Sequence, residues 1–110
     1  MANFISEEDV EKALDWLRDN SEPAAKARAE SIYVREYRKT MKAQIMGEHV
    51  EKPLAAQERE AYADPRYVAY LDVIRTAIAI DEELQFLRAA AEAKIRAWQT
   101  MCSNERGPRP

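Results

Sequence analysis

Few side chains in this chain of 110 residues could do chemistry, and they are scattered. His49 is the single histidine, with Glu48 and Glu51 beside it, a setting in which an imidazole can act as a base or a metal ligand. No second histidine and no nearby cysteine completes a ligand set, and neither HExxH nor ExxH is present. The spacing therefore predicts a solvated histidine at a helix end, where its protonated form suits the negative pole of the dipole. Cys102 is the single cysteine, expected past a long helix, without the histidine partner or helix N-terminus that would favour its thiolate. Asp81-Glu82-Glu83, with Asp72 and Glu92 a few turns away, could offer acid, base or Mg²⁺ ligands. Consecutive carboxylates on one helix point in different directions, so a charged solvent face is the plainer expectation. GxxxxGK[ST], GxGxxG and GxSxG are all missing, and two isolated glycines give no loop that could wrap a phosphate closely. No catalytic residue, cofactor or metal site is expected.

Charge is arranged more tellingly than its total. Seventeen lysines and arginines against 20 acids give a net charge of −3, without the global basic signature of a duplex-DNA binder. Residues 1–20 hold 6 acids and 2 bases, residues 21–47 hold 3 acids and 6 bases, and residues 93–110 hold 1 acid and 4 bases. Arg35, Arg38, Lys39 and Lys42 follow helical spacing and form a basic stripe, with Tyr33 and Tyr37 nearby. Phosphate contacts by the bases and stacking by the tyrosines would make this a single-stranded nucleic-acid surface. The same stripe could instead pair with the acidic first helix or with an acidic neighbouring subunit.

The elements that would carry these residues are helical. Glycine occurs only at Gly47 and Gly107, too rarely for the tight turns of a sandwich, barrel or doubly wound sheet. Hydrophobic residues at 46% and charged residues at 34% fit a small folded domain. Ser6 before Glu7-Glu8-Asp9 signals a helix start, and the first helix is expected over 7–19. Asn20-Ser21-Glu22-Pro23 then predicts a break and a second, long helix from Pro23 to about Met46, stopped at Gly47. A short helix is expected over 54–62. Asp64-Pro65 reads as a cap with proline at the first helical position, opening a fourth helix to about Met101. The apolar stripe of this last helix changes phase around Asp81-Glu82-Glu83, which predicts a bend or a change of packing partner there. The periodicity selects Leu14, Leu17, Ile32, Tyr33, Met41, Ile45, Leu71, Ile74, Ile78, Leu84, Ile95 and Trp98 as core.

The expected fold is thus all-α: an antiparallel hairpin of two long helices with two shorter ones, a single domain over 1–101 and a flexible tail over 102–110. Such long apolar stripes cannot both be covered in a thin hairpin, so a homo-oligomer is expected. One cysteine and no leading apolar segment suggest a reducing, cytoplasmic setting, and no stretch approaches the roughly 20 apolar residues of a membrane span.

The stretch Ala56-Gln57-Glu58-Arg59-Glu60-Ala61-Tyr62-Ala63-Asp64-Pro65-Arg66-Tyr67 precedes a long helix ending Ala91-Glu92-Ala93-Lys94-Ile95-Arg96-Ala97-Trp98-Gln99-Thr100, then Ser103-Asn104-Glu105-Arg106. Over residues 22–106 this resembles a group of small helical proteins of tailed bacteriophages, whose genes often lie near those for single-strand annealing and exonuclease proteins. The resemblance implies an accessory role in phage DNA metabolism inside the bacterial host, with a phage or host DNA-metabolism protein as partner. It brings no catalytic residues. The expectation is a non-enzymatic accessory or interaction protein of phage DNA recombination or replication. A structural assembly or scaffolding module is the alternative, and a small metal-dependent hydrolase using Asp81, Glu82 and Glu83 is a third. Exposure of the basic stripe would favour the first, its pairing the second, and convergence of the carboxylates the third.

Overall fold

A computed structural model describes residues 4–106, all of whose regular structure is helical: α1 over Glu7–Gly47, α2 over Leu54–Ala63 and α3 over Pro65–Arg106. The start of α1 is a reciprocal cap. Asp9 N–H donates to Ser6 Oγ at 3.1 Å, and Ser6 N–H donates back to Asp9 Oδ2 at 2.9 Å. The second bond holds the Asp9 carboxyl below its ordinary range.

Four helices were expected and three are found, because the anticipated break at residues 20–23 does not occur. Pro23 lies inside a continuous α1 of 41 residues. A proline removes one intrahelical N–H, and here the polar residues before it turn inward instead of capping a new helix. Asn20 Nδ2 donates to the Trp16 carbonyl at 2.9 Å and Ser21 Oγ to the Arg18 carbonyl at 3.2 Å. α1 ends at Gly47 as anticipated, but not through the left-handed conformation only glycine favours; the chain leaves through a turn in which Lys52 N–H donates to the His49 carbonyl. α2 follows Pro53, and Asp64 separates it from α3 with Pro65 at the first helical position. Asp64 Oδ1 accepts from the Arg66 N–H at 2.8 Å, the cap expected of an Asp-Pro pair. α3 continues to Arg106, beyond the end expected near Met101, and places Cys102 inside the helix, half-buried; residues 107–110 of the expected tail lie outside the described residues.

The chain divides into two compact units, Lys26–Glu82 and Met1–Ala25 with Glu83–Pro110. One division falls at Glu82/Glu83, where the apolar stripe of α3 changes phase. In the Lys26–Glu82 unit the best-formed core joins all three helices: Ile45 of α1, Ala61 of α2 and Tyr67 of α3 are buried together, with Met41 and Met46 packed against them. Farther along, Ser31, Val34 and Ala77 are buried and the Tyr70 hydroxyl donates to the Val34 carbonyl at 2.9 Å. In the other unit Ala13 and Ala91 are the buried apolar residues among those described.

Of the twelve residues expected to form the core, only Ile45 is fully buried. Leu17, Met41, Ile74, Ile78, Leu84, Ile95 and Trp98 are half-buried, whereas Leu14, Ile32, Tyr33 and Leu71 are exposed. The buried positions are mostly small: Ala13, Ser31, Ala61, Ala77 and Ala91. The separation of packed helices depends on the side chains at their contact, so small residues occupy the seam and larger ones splay to its sides. Asp81, expected on a solvated face, is also buried, at 5% exposure, because it lies one turn beyond Ala77 on the same stripe. No described helix is long and apolar enough to cross a membrane.

Candidate functional site

The junction of the three helices is tied by charge as well as by its apolar core. Arg66, at the start of α3, grips Glu48 with both terminal nitrogens, at 2.7 and 3.0 Å, and donates from Nε to Asp64 at 3.0 Å. These bonds draw the Asp64 carboxyl down from 3.8 to about 2, the side-chain bond from Arg66 contributing most, and lower Glu48 as well. Lys52 pairs with Glu60 at 3.0 Å, and Gln57 Nε2 donates to the Lys52 carbonyl at 2.9 Å, fastening α2 to the turn before it. α2 and the start of α3 are thereby fixed against the end of α1.

That fastening brings two tyrosines to the basic stripe. Arg38, Lys39 and Lys42 of α1, Tyr62 of α2 and Tyr67 of α3 line a pocket of about 200 Å³. Lys42 Nζ donates to the Tyr62 hydroxyl at 2.8 Å, lies 4.5 Å from that ring's centroid and stands 3.9 Å from Glu58. The bond to Tyr62, more than any other influence, holds the Lys42 ammonium above its ordinary pKa. Tyr62 and Tyr67 meet edge to face, with centroids 5.4 Å apart at 85°. Lys39 pairs with Glu36 at 3.2 Å, both ends well exposed, and Arg35 donates from Nε to the Ser31 carbonyl at 3.1 Å. The Arg38 side chain makes no hydrogen bond or ion pair among the described residues.

The structure therefore assembles only part of the surface anticipated from sequence. Arg38, Lys39 and Lys42 come together, and Arg35 lies beside them on α1 without lining the pocket. Tyr33 and Tyr37 lie elsewhere. At about 100° per residue they fall on the opposite flank of the packing stripe from Lys39 and Lys42. Their rings stack on each other at 6.0 Å, and Tyr37 meets Tyr70 of α3 at 5.9 Å. The rings beside the cations are Tyr62 and Tyr67. The available cue was Asp64-Pro65 between them, which turns the chain sharply enough to bring rings five positions apart into contact.

His49 sits half-buried in the turn after α1. Asp81 is buried while Glu82 and Glu83 are exposed, and among the described residues no three histidine, cysteine or carboxylate side chains are grouped to hold a metal ion. The pocket's chemistry is that of cations and phenols, suited to receiving an anion. Comparison with protein-family models, curated proteins and solved structures finds no match for this chain.

Proposed function

We propose that this chain is a non-enzymatic interaction protein that works through its helical surface, as an accessory to phage DNA recombination or replication. The observation that carries the interaction role is the apolar surface its helices leave open. In the Lys26–Glu82 unit, Val73, Ala77 and Ile80 follow helical spacing along an open groove of about 430 Å³ bordered by Glu30 and Asp72. On α3, Phe86 is 73% exposed and Leu87 is exposed beside it. A second copy of the chain is the occupant that answers both, since the same long stripes recur in it. Within Lys26–Glu82 an antiparallel hairpin is supported by the sense of the contacts: Val34 meets Tyr70, whereas Glu48, later in α1, meets Arg66, earlier in α3.

The DNA connection rests on the resemblance over residues 22–106 and on the open Arg38 beside Lys39 and Lys42. A structural assembly role draws its support from the pairing of Lys39 with Glu36 and of Lys42 with Glu58. Sedimentation at tens of micromolar, followed by affinity capture from infected cells, tests both. An oligomer that is dissociated by Val73→Glu with Ile80→Glu and captures an annealing, nuclease or replication protein is the expected result. A monomer would overturn the self-association, and capture of virion components alone would replace the DNA role with the assembly role.

A further inference from the structure

We propose that the pocket formed by Arg38, Lys39, Lys42, Tyr62 and Tyr67 binds a phosphate group of single-stranded nucleic acid, with the Tyr67 hydroxyl among its donors. The proposal rests on the DNA reading above and specifies where contact is made.

Tyr67 is the telling residue. Its ring is 7% exposed and belongs to the core with Ile45 and Ala61, while its hydroxyl is open to solvent at the pocket and makes no hydrogen bond among the described residues. A hydroxyl held in place by a packed ring has little freedom left to lose when an acceptor enters the pocket. The other side chains that line the pocket can donate, with the Glu58 carboxylate 3.9 Å from Lys42 and Glu36 on Lys39 beside them. The Tyr62 oxygen already accepts from Lys42, so the Tyr62 hydroxyl hydrogen remains to be given to a ligand. The Arg38 guanidinium is unengaged, and the exposed pair of Lys39 with Glu36 is of the weak kind that a phosphate can displace. Two phenols, a guanidinium and two ammonium groups thus converge on one small volume, a donor set for the several oxygens of a phosphate.

The surroundings favour a single strand as the source. A pocket of about 200 Å³ admits one phosphate group. The half-exposed Tyr62 ring at its rim offers a base a surface on which to stack. The net charge of −3 opposes a long track of polyanion, so the contact stays local. If about two phosphates are neutralised per copy, log K falls with log salt at a slope of roughly −1.4, far shallower than for a dedicated DNA binder.

Fluorescence anisotropy with a labelled oligothymidylate of about ten nucleotides, at about 50 mM salt, is the test. The unmodified protein is expected to bind no tighter than micromolar, with inorganic phosphate competing at millimolar concentration. Tyr67→Phe keeps the ring and its packing and removes only the hydroxyl; it should weaken binding about three- to tenfold, and Arg38→Gln at least as much, with helical circular dichroism and sedimentation unchanged. Unweakened binding by both variants would overturn the pocket while leaving the DNA role standing. Phosphate binding without oligonucleotide binding would overturn the nucleic-acid source, and equal competition by an acidic peptide would overturn phosphate as the ligand class. Sedimentation and capture judge the interaction role separately from all of these.

Discussion

Ile45→Ala is the sharpest probe of the three-helix junction. Ile45 is 2% exposed, between Ala61 and Tyr67 and beneath Met41 and Met46. The change removes three buried carbons, worth about 2.4 kcal/mol at about 0.8 kcal/mol each. A cavity adds to this at about 24 cal/mol per Å³, but two flexible methionines can move into part of the space, so the expected total is about 3 kcal/mol. Leu71→Ala is the control. Leu71 is 44% exposed, so its truncation loses about half of the transfer energy and opens no closed cavity, for about 1 kcal/mol. Urea unfolding followed by circular dichroism resolves the two. With a slope near 2 kcal/mol/M, Ile45→Ala should lower the midpoint by about 1.5 M and Leu71→Ala by about 0.5 M. The comparison is run at two protein concentrations, because self-association, as proposed above, would add to the cost at any residue that a second copy covers. Equal losses at the lower concentration, or a loss below about 1 kcal/mol for Ile45→Ala, would refute the assignment of the core to this junction.

Acid should loosen the same junction. The folded-state pKa of Asp64 lies near 2 against an ordinary 3.8, so its contribution is complete above about pH 4 and disappears as pH falls from there through 2; urea midpoints measured from pH 5 to 2 should decline, and Arg66→Gln should flatten the decline. Gly47→Ala should stabilise by about 0.4–1 kcal/mol in thermal melts, since no atom lies within 4 Å of the place a Cβ would take and the backbone is not left-handed there. Pro23→Ala should restore an intrahelical bond within α1 and raise stability by about 1–2 kcal/mol at unchanged helicity; a loss would mean that a bend at Pro23 is required.

What could be read from sequence was local. Ser6 with Asp9, and Asp64 with Pro65 and Arg66, are caps whose partners lie within three residues, so their chemistry is visible in a short window. The continuity of α1 was not visible, because Asn20 and Ser21 bond equally well to the carbonyls of an unbroken helix and to the open N–H groups of a new one. Periodicity located the apolar stripes but selected their largest members as core. Burial goes instead to Ala13, Ala77 and Ala91, whose small size lets helices approach and which no hydropathy pattern singles out from exposed alanines. The candidate site was legible for Arg38, Lys39 and Lys42, which share one turn of α1 and the next. It was not legible for Tyr62 and Tyr67, which reach those cations only through the packing of α2 and α3.

The division of the chain bears on how it folds. Everything in Lys26–Glu82 is contiguous, whereas the other unit is made from Met1–Ala25 and Glu83–Pro110, stretches with the whole of the first unit between them in sequence. Forming the second unit before the first would require closing that entire intervening segment as a loose loop, at a conformational cost its few buried alanines do not repay. Once Ile45, Ala61 and Tyr67 have condensed, the effective loop shrinks to a folded body and the two terminal stretches have far less freedom left to lose. Amide exchange should accordingly grade from slow around the junction to fast at both ends of the chain, making the terminal unit the part that opens first.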